Sequence, residues 1–366
     1  MGVLRFLTAG ESHGQCLTAI VEGIPSGLAI NVEEMNKDMV RRQQGYGRGD
    51  RMKIETDQVE ILSGVRFGET IGDPITLCVK NRDWENWKDR MSVSGEMVGH
   101  LVTAARPGHA DLIGTKKYNR KDIRDILERA SARETATRVA VGALSKQLLK
   151  SCGITVISRV TNIGGLIIDT VSADAEAMKA KIHAAKAEGD TLGGIFEVVV
   201  KGAPLGLGSH IQWDRRLDAR LSGAMMSIQA IKGVEIGAGF EYANLPGSLA
   251  HDEMFFDEAK NVYRKTNHAG GIEGGMSNGE EIVVRAVMKP IPTLMKPLHS
   301  VDIESKEEVL ACRERSDVCA VSAAAVVGEA MIAFIIAEAL LEKFGGDCMV
   351  DVTAGMNSYS KRIQGE

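Results

Sequence analysis

The sequence predicts an α+β fold, with one large domain covering residues 1–366. Strand-like apolar runs come in groups, and long helical patterns stand between those groups instead of alternating with single strands. The chain is 44% hydrophobic and 25% charged, which is typical of a globular protein with a large core. No segment rich in Pro, Ser or Gly divides it. Because helices and strand groups occur in both halves, the pattern also allows a distant internal duplication.

Helical patterns begin and end at recognisable capping residues. The segments predicted to be helical are 31–44, 121–150, 174–188, 214–228 and 320–344. Asn31 takes the N-cap position of the first helix, and Glu34, three residues later, completes a capping box. Gly45 follows the last turn of that helix, and Gly345 with Gly346 ends the alanine-rich helix near the C-terminus.

Strands are predicted where β-like apolar residues form short runs. These runs are 59–65, 75–79, 155–168, 195–200 and 282–288, and a further apolar run precedes Gly10. The most apolar segment, 318–337, carries Glu329 in its middle, which predicts a buried helix and not a membrane span. The N-terminus lacks the basic and apolar regions of a signal peptide, so we expect a cytoplasmic protein.

Charge and cysteine content exclude several classes of function. The net charge is −5, and the basic residues gather in short motifs and not in a basic domain or stripe. This distribution argues against nucleic acid as a partner and favours a pocket for a small polyanion. The six cysteines are scattered without a CxxC pair, so neither a disulfide framework nor a metal site is predicted.

Two short segments place a histidine in a glycine-containing turn. His13 lies in GESHG, directly after an apolar run whose end would present polar side chains at the edge of a sheet. His109 lies in RPGHAD, three residues after Arg106, where it is a candidate acid beside a bound phosphate. A single histidine in a turn is more often structural, so each motif alone leaves both interpretations open.

Cations concentrate in the loop after the first predicted helix and again inside the second. Arg42, Arg48 and Arg51 belong to a glycine-interrupted run, and guanidinium groups match phosphate and carboxylate oxygens bidentately. The alternative is a solvated basic loop. Arg129 and Arg133 are four residues apart on one face of the predicted helix, which is unfavourable unless an anion or a neighbouring Glu neutralises them.

Three segments of the C-terminal half add candidate binding groups. The glycine-rich run 268–279 forms either an array of β-turns or a backbone-lined wall for a flat ring or a phosphate. The segment KPIPT at 289–293 is a stiff loop with one cation and one hydroxyl, and Arg315 and Asp317 precede the last predicted helix. The sequence contains no GxSxG, Walker or HExxH motif. Residue chemistry therefore indicates a polyanionic substrate, but not a reaction.

Taken in order along the chain, these segments resemble the chorismate synthase family. The matching signatures are GESHG, RRQQGYGRGDRMKIETDQVEILSGV, RPGHADLIGTKKY, SARET, GGIEGGMSNG with KPIPT, and RSD. The resemblance implies a layered β-α-α-β sandwich, a homotetramer, and reduced FMN as cofactor. It further implies a lyase of the shikimate pathway, which converts 5-enolpyruvylshikimate 3-phosphate to chorismate in aromatic amino-acid biosynthesis without net redox change.

The resemblance also implies a role for individual residues. Those implied to be catalytic are His13, His109 and Asp317, and those implied to bind the anionic groups of the substrate are Arg42, Arg48, Arg51, Arg106 and Arg133. Those implied to contact the flavin are Arg129, Ala130, Ser131, Gln229, Ala230, Gly274, Lys289, Pro290, Ile291, Pro292, Thr293 and Arg315. Gln229 and Ala130 depart from the Asn and Ser that are common in the family.

The expected partners follow from the same resemblance. The additional segments of bifunctional family members are not recognisable here, so an external flavin reductase is expected, with NADPH only an indirect source of reduced flavin. Two alternatives remain open: a flavin-free phosphatase or transferase would show no flavin dependence, and a flavin-storage protein would not need the histidines and arginines.

Overall fold

A computed structural model describes residues 4–49, 54–170, 174–258, 261–314 and 316–364. Its strands are β1 Arg5–Ala9, β2 Cys16–Glu22, β3 Glu60–Ile61, β4 Val65–Arg66, β5 Glu69–Thr70, β6 Ile75–Lys80, β7 Thr155–Ile163, β8 Leu166–Ile167, β9 Gly194–Lys201, β10 Ile231–Ile236, β11 Met254–Phe256, β12 Val262–Arg264, β13 Ile272–Glu273, β14 Met276–Ser277, β15 Ile282–Met288, β16 His299–Val301 and β17 Glu308–Leu310. Its helices are α1 Val32–Gln43, α2 Asp111–Tyr118, α3 Arg124–Ala130, α4 Thr135–Ser151, α5 Ala175–Ala187, α6 Leu217–Met226, α7 Gly247–Ala250, α8 Val321–Phe344 and α9 Met349–Gln364.

The first sheet is antiparallel and has the strand order β1-β2-β6-β3. Along β2 the side chains of Leu17, Ala19 and Val21 are buried. Ile20, between Ala19 and Val21, and Glu22, after Val21, are exposed. One face of this sheet therefore belongs to the core, as the period of two along a strand requires. β2 was not among the predicted strands, although this alternation is its sequence signal.

The second sheet is also antiparallel, with the order β10-β15-β9-β7-β8. The predicted strands 195–200 and 282–288 are confirmed as its central strands β9 and β15. The predicted run 155–168 forms two strands, β7 and β8, because Gly164 and Gly165 turn the chain with φ angles of 55° and 88°. β10 was not predicted.

Two long helices lie between the sheets. α4 packs against β2 and β6 of the first sheet, α8 packs against β7 and β9 of the second, and the two helices pack along each other. At Gly142 of α4 a Cβ atom would lie 2.2 Å from the Cβ of Ala330 in α8, so only glycine permits this approach. The layers follow the order sheet, helix, helix, sheet, and the predicted β-α-α-β sandwich is confirmed.

α8 is the central core helix. It is long and apolar enough to cross a membrane by length and composition alone, but 89% of its most apolar window is buried inside the protein. Glu329, at its middle, accepts hydrogen bonds from Arg41, Lys146 and Ser158. The prediction of a buried helix is confirmed, and the charge within it is satisfied by partners from other layers.

The predicted helix 121–150 is wrong as a single element. α3 ends at Ala130, and Ser131 is extended (φ −63°, ψ 140°) and accepts a hydrogen bond from the backbone N–H of Arg133. A 3₁₀ turn, Ala132–Glu134, then leads into α4. Arg129 and Arg133 consequently do not share one helical face, because the break changes the direction of the chain between them.

Several smaller expectations need correction. Asn31 accepts a hydrogen bond from the Glu34 backbone N–H, as an N-cap should, but its own N–H donates to Gln147 and not to Glu34. The helix expected from residue 214 begins at Leu217, after a 3₁₀ turn. The run 59–65 divides between β3 and the separate β4–β5 hairpin. α9 was not predicted.

Candidate active site

One cavity of about 510 Å³ collects side chains from most of the motifs identified in the sequence. Its walls come from the β1–β2 loop, the end of α1, the junction of α3 with α4, and the segments that precede β10 and α8. A second hollow, of about 590 Å³ between α2 and residues 301–306, is lined by exposed lysines and by no histidine. Since only the first brings acids, bases and buried cations together, it is the candidate site.

His13 is buried and is held by Glu128 and Trp87. Its backbone N–H donates to Glu128 Oε2 (2.8 Å), and its Nδ1 lies 2.9 Å from Glu128 Oε1. Its ring stacks on Trp87 with centroids 4.0 Å apart, and the guanidinium of Arg124 lies 4.8 Å from the same indole ring. These contacts fix the ring at the cavity wall.

His109 and Arg106 converge on Asp111. Arg106 donates from Nε and Nη2 to the two carboxylate oxygens at 2.8 and 3.0 Å, and His109 Nδ1 lies 2.5 Å from Asp111 Oδ1. Burial alone would raise the pKa of Asp111, but the hydrogen bonds from His109 and Arg106 hold it well below its usual range. A third arm of Arg106 donates to Thr293 Oγ1 (3.1 Å), which joins the RPGHAD turn to the KPIPT loop.

Arg42 and Arg133 share one buried carboxylate. Both donate to Asp57, and Arg133 Nε also donates to Asn81 Oδ1 at 2.9 Å. Burial, with repulsion from Arg133 and Arg48, lowers the pKa of Arg42 to about 10, which leaves it charged at neutral pH. Crowded guanidinium groups at a cavity favour the binding of an anion, because an anion relieves their mutual repulsion.

Arg48 and Asp317 form an ion pair at the cavity. Arg48 Nε lies 3.3 Å from Asp317 Oδ2, and the backbone N–H of Gly49 donates to Asp317 Oδ1 at 2.6 Å. A Cβ on Gly49 would lie 3.0 Å from the carbonyl oxygen of Ser316, so a larger residue would require the two loops to move slightly apart. The contacts orient the Asp317 carboxylate at the cavity.

The cavity wall between α6 and the KPIPT loop contains features that could bind a polar ring. Gln229 Nε2 donates to Glu134, whereas its buried Oε1 has no hydrogen-bond partner among the described residues. Ala230 has φ +68°, a conformation that side chains rarely adopt, and its carbonyl accepts from the Lys289 backbone N–H. An orphaned acceptor beside a strained backbone fits a bound group that carries N–H donors, as a flavin ring does.

Comparison with known proteins gives the family. The family model of chorismate synthase matches residues 4–341. The chorismate synthase of Geobacter metallireducens is 58% identical over 98% of both chains, and that of Aquifex aeolicus is 54% identical over 99% of this chain and 98% of its own. A crystal structure of chorismate synthase matches with a TM-score of 0.81 and 44% identity over 99% of each chain. The chain belongs to the chorismate synthase family.

Most residues that the resemblance to chorismate synthases selected lie at the cavity. These are His13, Arg42, Arg48, Arg106, His109, Ala130, Ser131, Arg133, Gln229, Ala230, Lys289, Ile291, Pro292, Thr293 and Asp317. Pro290 is absent from the lining, and Arg129 donates instead to backbone oxygens of Thr8 and Gly10. Gly274 lies in the β13–β14 turn and is not among the residues that line this cavity. Arg51 and Arg315 lie outside the described residues.

The residues that hold the selected side chains were not identified from the sequence. Glu128, Asp57 and Asp111 each bind two of the selected or neighbouring basic side chains, and Trp87 supports His13. Asp111 is the last residue of RPGHAD, so this motif could have indicated from the sequence that Asp111 belongs to the site. Nothing in the local sequence around Trp87 or Glu128 indicates that they meet His13.

Proposed function

We propose that this member of the chorismate synthase family is a carbon–oxygen lyase that converts 5-enolpyruvylshikimate 3-phosphate to chorismate and phosphate. The observation that carries the proposal is a cavity that, among the described residues, is lined by two histidines, four arginines and Asp317. The substrate has two carboxylates and one phosphate, and a cavity wall rich in buried guanidinium groups suits that charge pattern.

The arginines bind and orient the substrate. Arg42 and Arg133 are fixed through Asp57, Arg106 through Asp111, and Arg48 through Asp317, so their positive groups are preorganised before any ligand arrives. Arg51 belongs to the same proposed set by resemblance. Fixed cations stabilise the charge that develops as phosphate leaves, since no protein reorganisation is then needed.

The histidines hold protons at the two ends of the reaction. His109 stands beside Arg106 and donates a proton to the departing phosphate, while His13 serves as the acid near the cofactor. Asp317, whose carboxylate is held by Arg48 and by the backbone N–H of Gly49, takes the catalytic role that the resemblance implies for it beside the cofactor. Positioned acid–base groups of this kind typically contribute about 10²–10⁴-fold to rate.

The cofactor is reduced FMN, which when bound supplies the reversible electron transfer that lets a non-acidic hydrogen and an allylic phosphate leave without net redox change. Its proposed contacts at the cavity are Ala130, Ser131, Gln229, Ala230, Lys289, Ile291, Pro292 and Thr293. Arg129, Gly274, Pro290 and Arg315 complete the set by resemblance. The unpaired Oε1 of Gln229 supports this placement.

The wider context belongs to the same proposal. We infer a homotetramer in the cytoplasm, a single catalytic domain over 1–366, and an external flavin reductase that draws on NADPH. A continuous hydrophobic core that reaches both sheets supports the single domain.

The decisive experiment is an anaerobic assay of chorismate formation with and without photoreduced FMN. Turnover is expected only with reduced FMN, and one reduction should support many cycles. Equal phosphate release without flavin would instead favour a flavin-free phosphatase, and stoichiometric flavin oxidation would contradict the lyase.

A further inference from the structure

Both cavity histidines contact a buried carboxylate through the same ring nitrogen. His13 Nδ1 lies 2.9 Å and 3.1 Å from the two oxygens of Glu128, and His109 Nδ1 lies 2.5 Å from Asp111 Oδ1. The carboxylates come from different elements, α3 and α2, and both are almost inaccessible to solvent. The repetition at two unrelated positions of the chain suggests a common purpose.

Each carboxylate is surrounded by donors, which decides where the imidazole hydrogen resides. Glu128 accepts from the His13 backbone N–H (2.8 Å) and from Arg124 Nη1 (2.9 Å) in addition to the ring. Burial alone would raise the pKa of Glu128, but the contacts with His13 and Arg124 lower it, so the group is an ionised, acceptor-only carboxylate. His13 Nδ1 must therefore carry a hydrogen.

The same reasoning holds at Asp111. Its oxygens accept from the Arg106 backbone N–H (3.1 Å), from Nε (2.8 Å) and from Nη2 (3.0 Å). Arg106 Nη2 also lies 3.1 Å from His109 Nδ1, but the Asp111 oxygen is nearer to that nitrogen, at 2.5 Å. The ring nitrogen donates to the carboxylate, and the guanidinium lies beside it.

We propose that Glu128 and Asp111 are positioning residues that keep the hydrogen on Nδ1 of His13 and His109, so that Nε2 of each ring is the atom that holds or releases a proton in the cavity. The consequence for rate rests on the proposed function, whereas the tautomer itself does not. Trp87 contributes at His13, because a ring stacked at 4.0 Å with planes 28° apart cannot easily turn over and exchange its nitrogens.

Glu128→Gln provides a sharp test, because an amide has one acceptor oxygen where the carboxylate has two. The backbone N–H of His13 can only donate a hydrogen bond, so the amide oxygen is expected to continue accepting from it. The amide NH₂ then faces Nδ1 and Arg124. Arg124 keeps its second carboxylate partner, Glu314, whereas Nδ1 becomes an acceptor and the hydrogen moves to Nε2. Asp111→Asn should act on His109 in the same way. Glu329→Gln is the matched control, since Glu329 is a buried carboxylate bonded to Arg41, Lys146 and Ser158 and to no histidine in the described residues.

The measurement is nitrogen-15 NMR of histidine-labelled protein, without substrate or flavin, under conditions where the imidazoles are neutral. The wild type is expected to show the Nδ1–H tautomer at both histidines. E128Q should invert His13 alone, D111N should invert His109 alone, and E329Q should change neither. Nε2–H in the wild type, or unchanged tautomers in folded E128Q and D111N, would overturn the proposal.

A variant that fails to fold does not remove the test, because the wild-type spectrum decides the tautomer on its own. Glu128→Asp, which keeps an acceptor-only group, should retain Nδ1–H if it folds. With substrate and reduced FMN, E128Q should lower the single-turnover rate about 10²–10⁴-fold, as expected when the proton is on the wrong nitrogen. If the wild type forms no chorismate but shows Nδ1–H at both rings, the proposed function fails and the positioning role stands.

Discussion

Arg41 and Arg42 are neighbours on α1, yet they belong to two different groups of buried charge. Arg41 donates through both terminal nitrogens to Glu329 of α8, at 2.8 Å each, and Lys146 binds the same carboxylate. Arg42 projects about 100° further around the helix, because an α-helix has 3.6 residues per turn. It lines the cavity and donates to Asp57, which lies behind the cavity wall. We call these the core cluster (Arg41, Lys146, Glu329) and the cavity cluster (Arg42, Arg48, Arg133, Asp57).

The pKa values of the two arginines move in opposite directions. The hydrogen bond with Glu329 raises the pKa of Arg41, whereas burial and the repulsion of Arg133 and Arg48 lower that of Arg42 to about 10. The core cluster therefore holds its cation in a favourable pair. In the cavity cluster Arg42 lies among other cations, so an additional anion would stabilise its charged form. Perturbed pKa values of this kind are typical of binding sites. Position on a helix, and not residue type, decides between the two outcomes.

The largest expected effect is on the catalytic rate of the two histidine variants, which is compared with their thermal stability. His109→Ala should lower kcat about 10²–10⁴-fold, because it removes a positioned acid, while the melting temperature stays nearly unchanged. His13→Ala should lower kcat similarly and alter the spectrum of bound reduced flavin, and it should also lower the melting temperature, because the buried ring contacts Glu128 and Trp87. Single-turnover kinetics and thermal unfolding of both variants test this. Rates close to wild type in both would leave the histidines structural.

The second prediction contrasts an arginine of each cluster. Arg48→Ala should weaken substrate binding by about 2–5 kcal/mol, the usual range for losing a buried charge-assisted contact, and flavin binding should change less. Arg41→Ala is the control, since its side chain is committed to Glu329, and it should affect stability more than affinity. Substrate titrations with FMN present distinguish them. Equal losses of affinity would mean that the two clusters act as one.

The third prediction concerns the core cluster. Glu329→Gln should lower the free energy of unfolding by about 1–3 kcal/mol, a value reduced from that of a fully buried pair because Arg41 and Lys146 are partly exposed. Activity per folded molecule should be retained. Denaturant unfolding measures the loss, and Glu22→Gln, at an exposed pair with Arg5, should leave stability unchanged. A loss of activity without a loss of stability would contradict the assignment of Glu329 to a core cluster that is separate from the cavity cluster.

The smallest effect is a pH dependence of the same cluster. Burial alone would raise the pKa of Glu329, but Arg41 and Lys146 lower it below its usual value of 4.5. A carboxyl whose folded pKa is depressed contributes stability above its unfolded pKa and loses it as pH falls through the folded pKa. Wild-type stability should therefore fall below about pH 4.5, and E329Q should fall less steeply there. If denaturant titrations showed that wild type and E329Q lose stability equally steeply as pH falls, Glu329 would not be the source of this pH dependence.

Patterns that depend on near neighbours were determined by the sequence alone. The cap at Asn31, the burial of α8, the strand Ile282–Met288 and the signatures around His13 and His109 all follow from residues within a few positions of one another. Periodicity and capping are local properties, so one chain is enough to recognise them. The resemblance added an ordered set of candidate residues, and most of them line one cavity.

Tertiary structure alone decided which charges meet. Arg41 and Glu329 are 288 residues apart, and His13 and Glu128 are 115 apart. The break at Ser131 sends Arg129 to backbone oxygens near β1 and Arg133 into the cavity, although their spacing suggests a shared helical face. Such pairings depend on how layers pack and on which carboxylate burial brings within reach. A sequence with many Arg, Asp and Glu residues allows more pairings than the fold can realise, and packing selects among them.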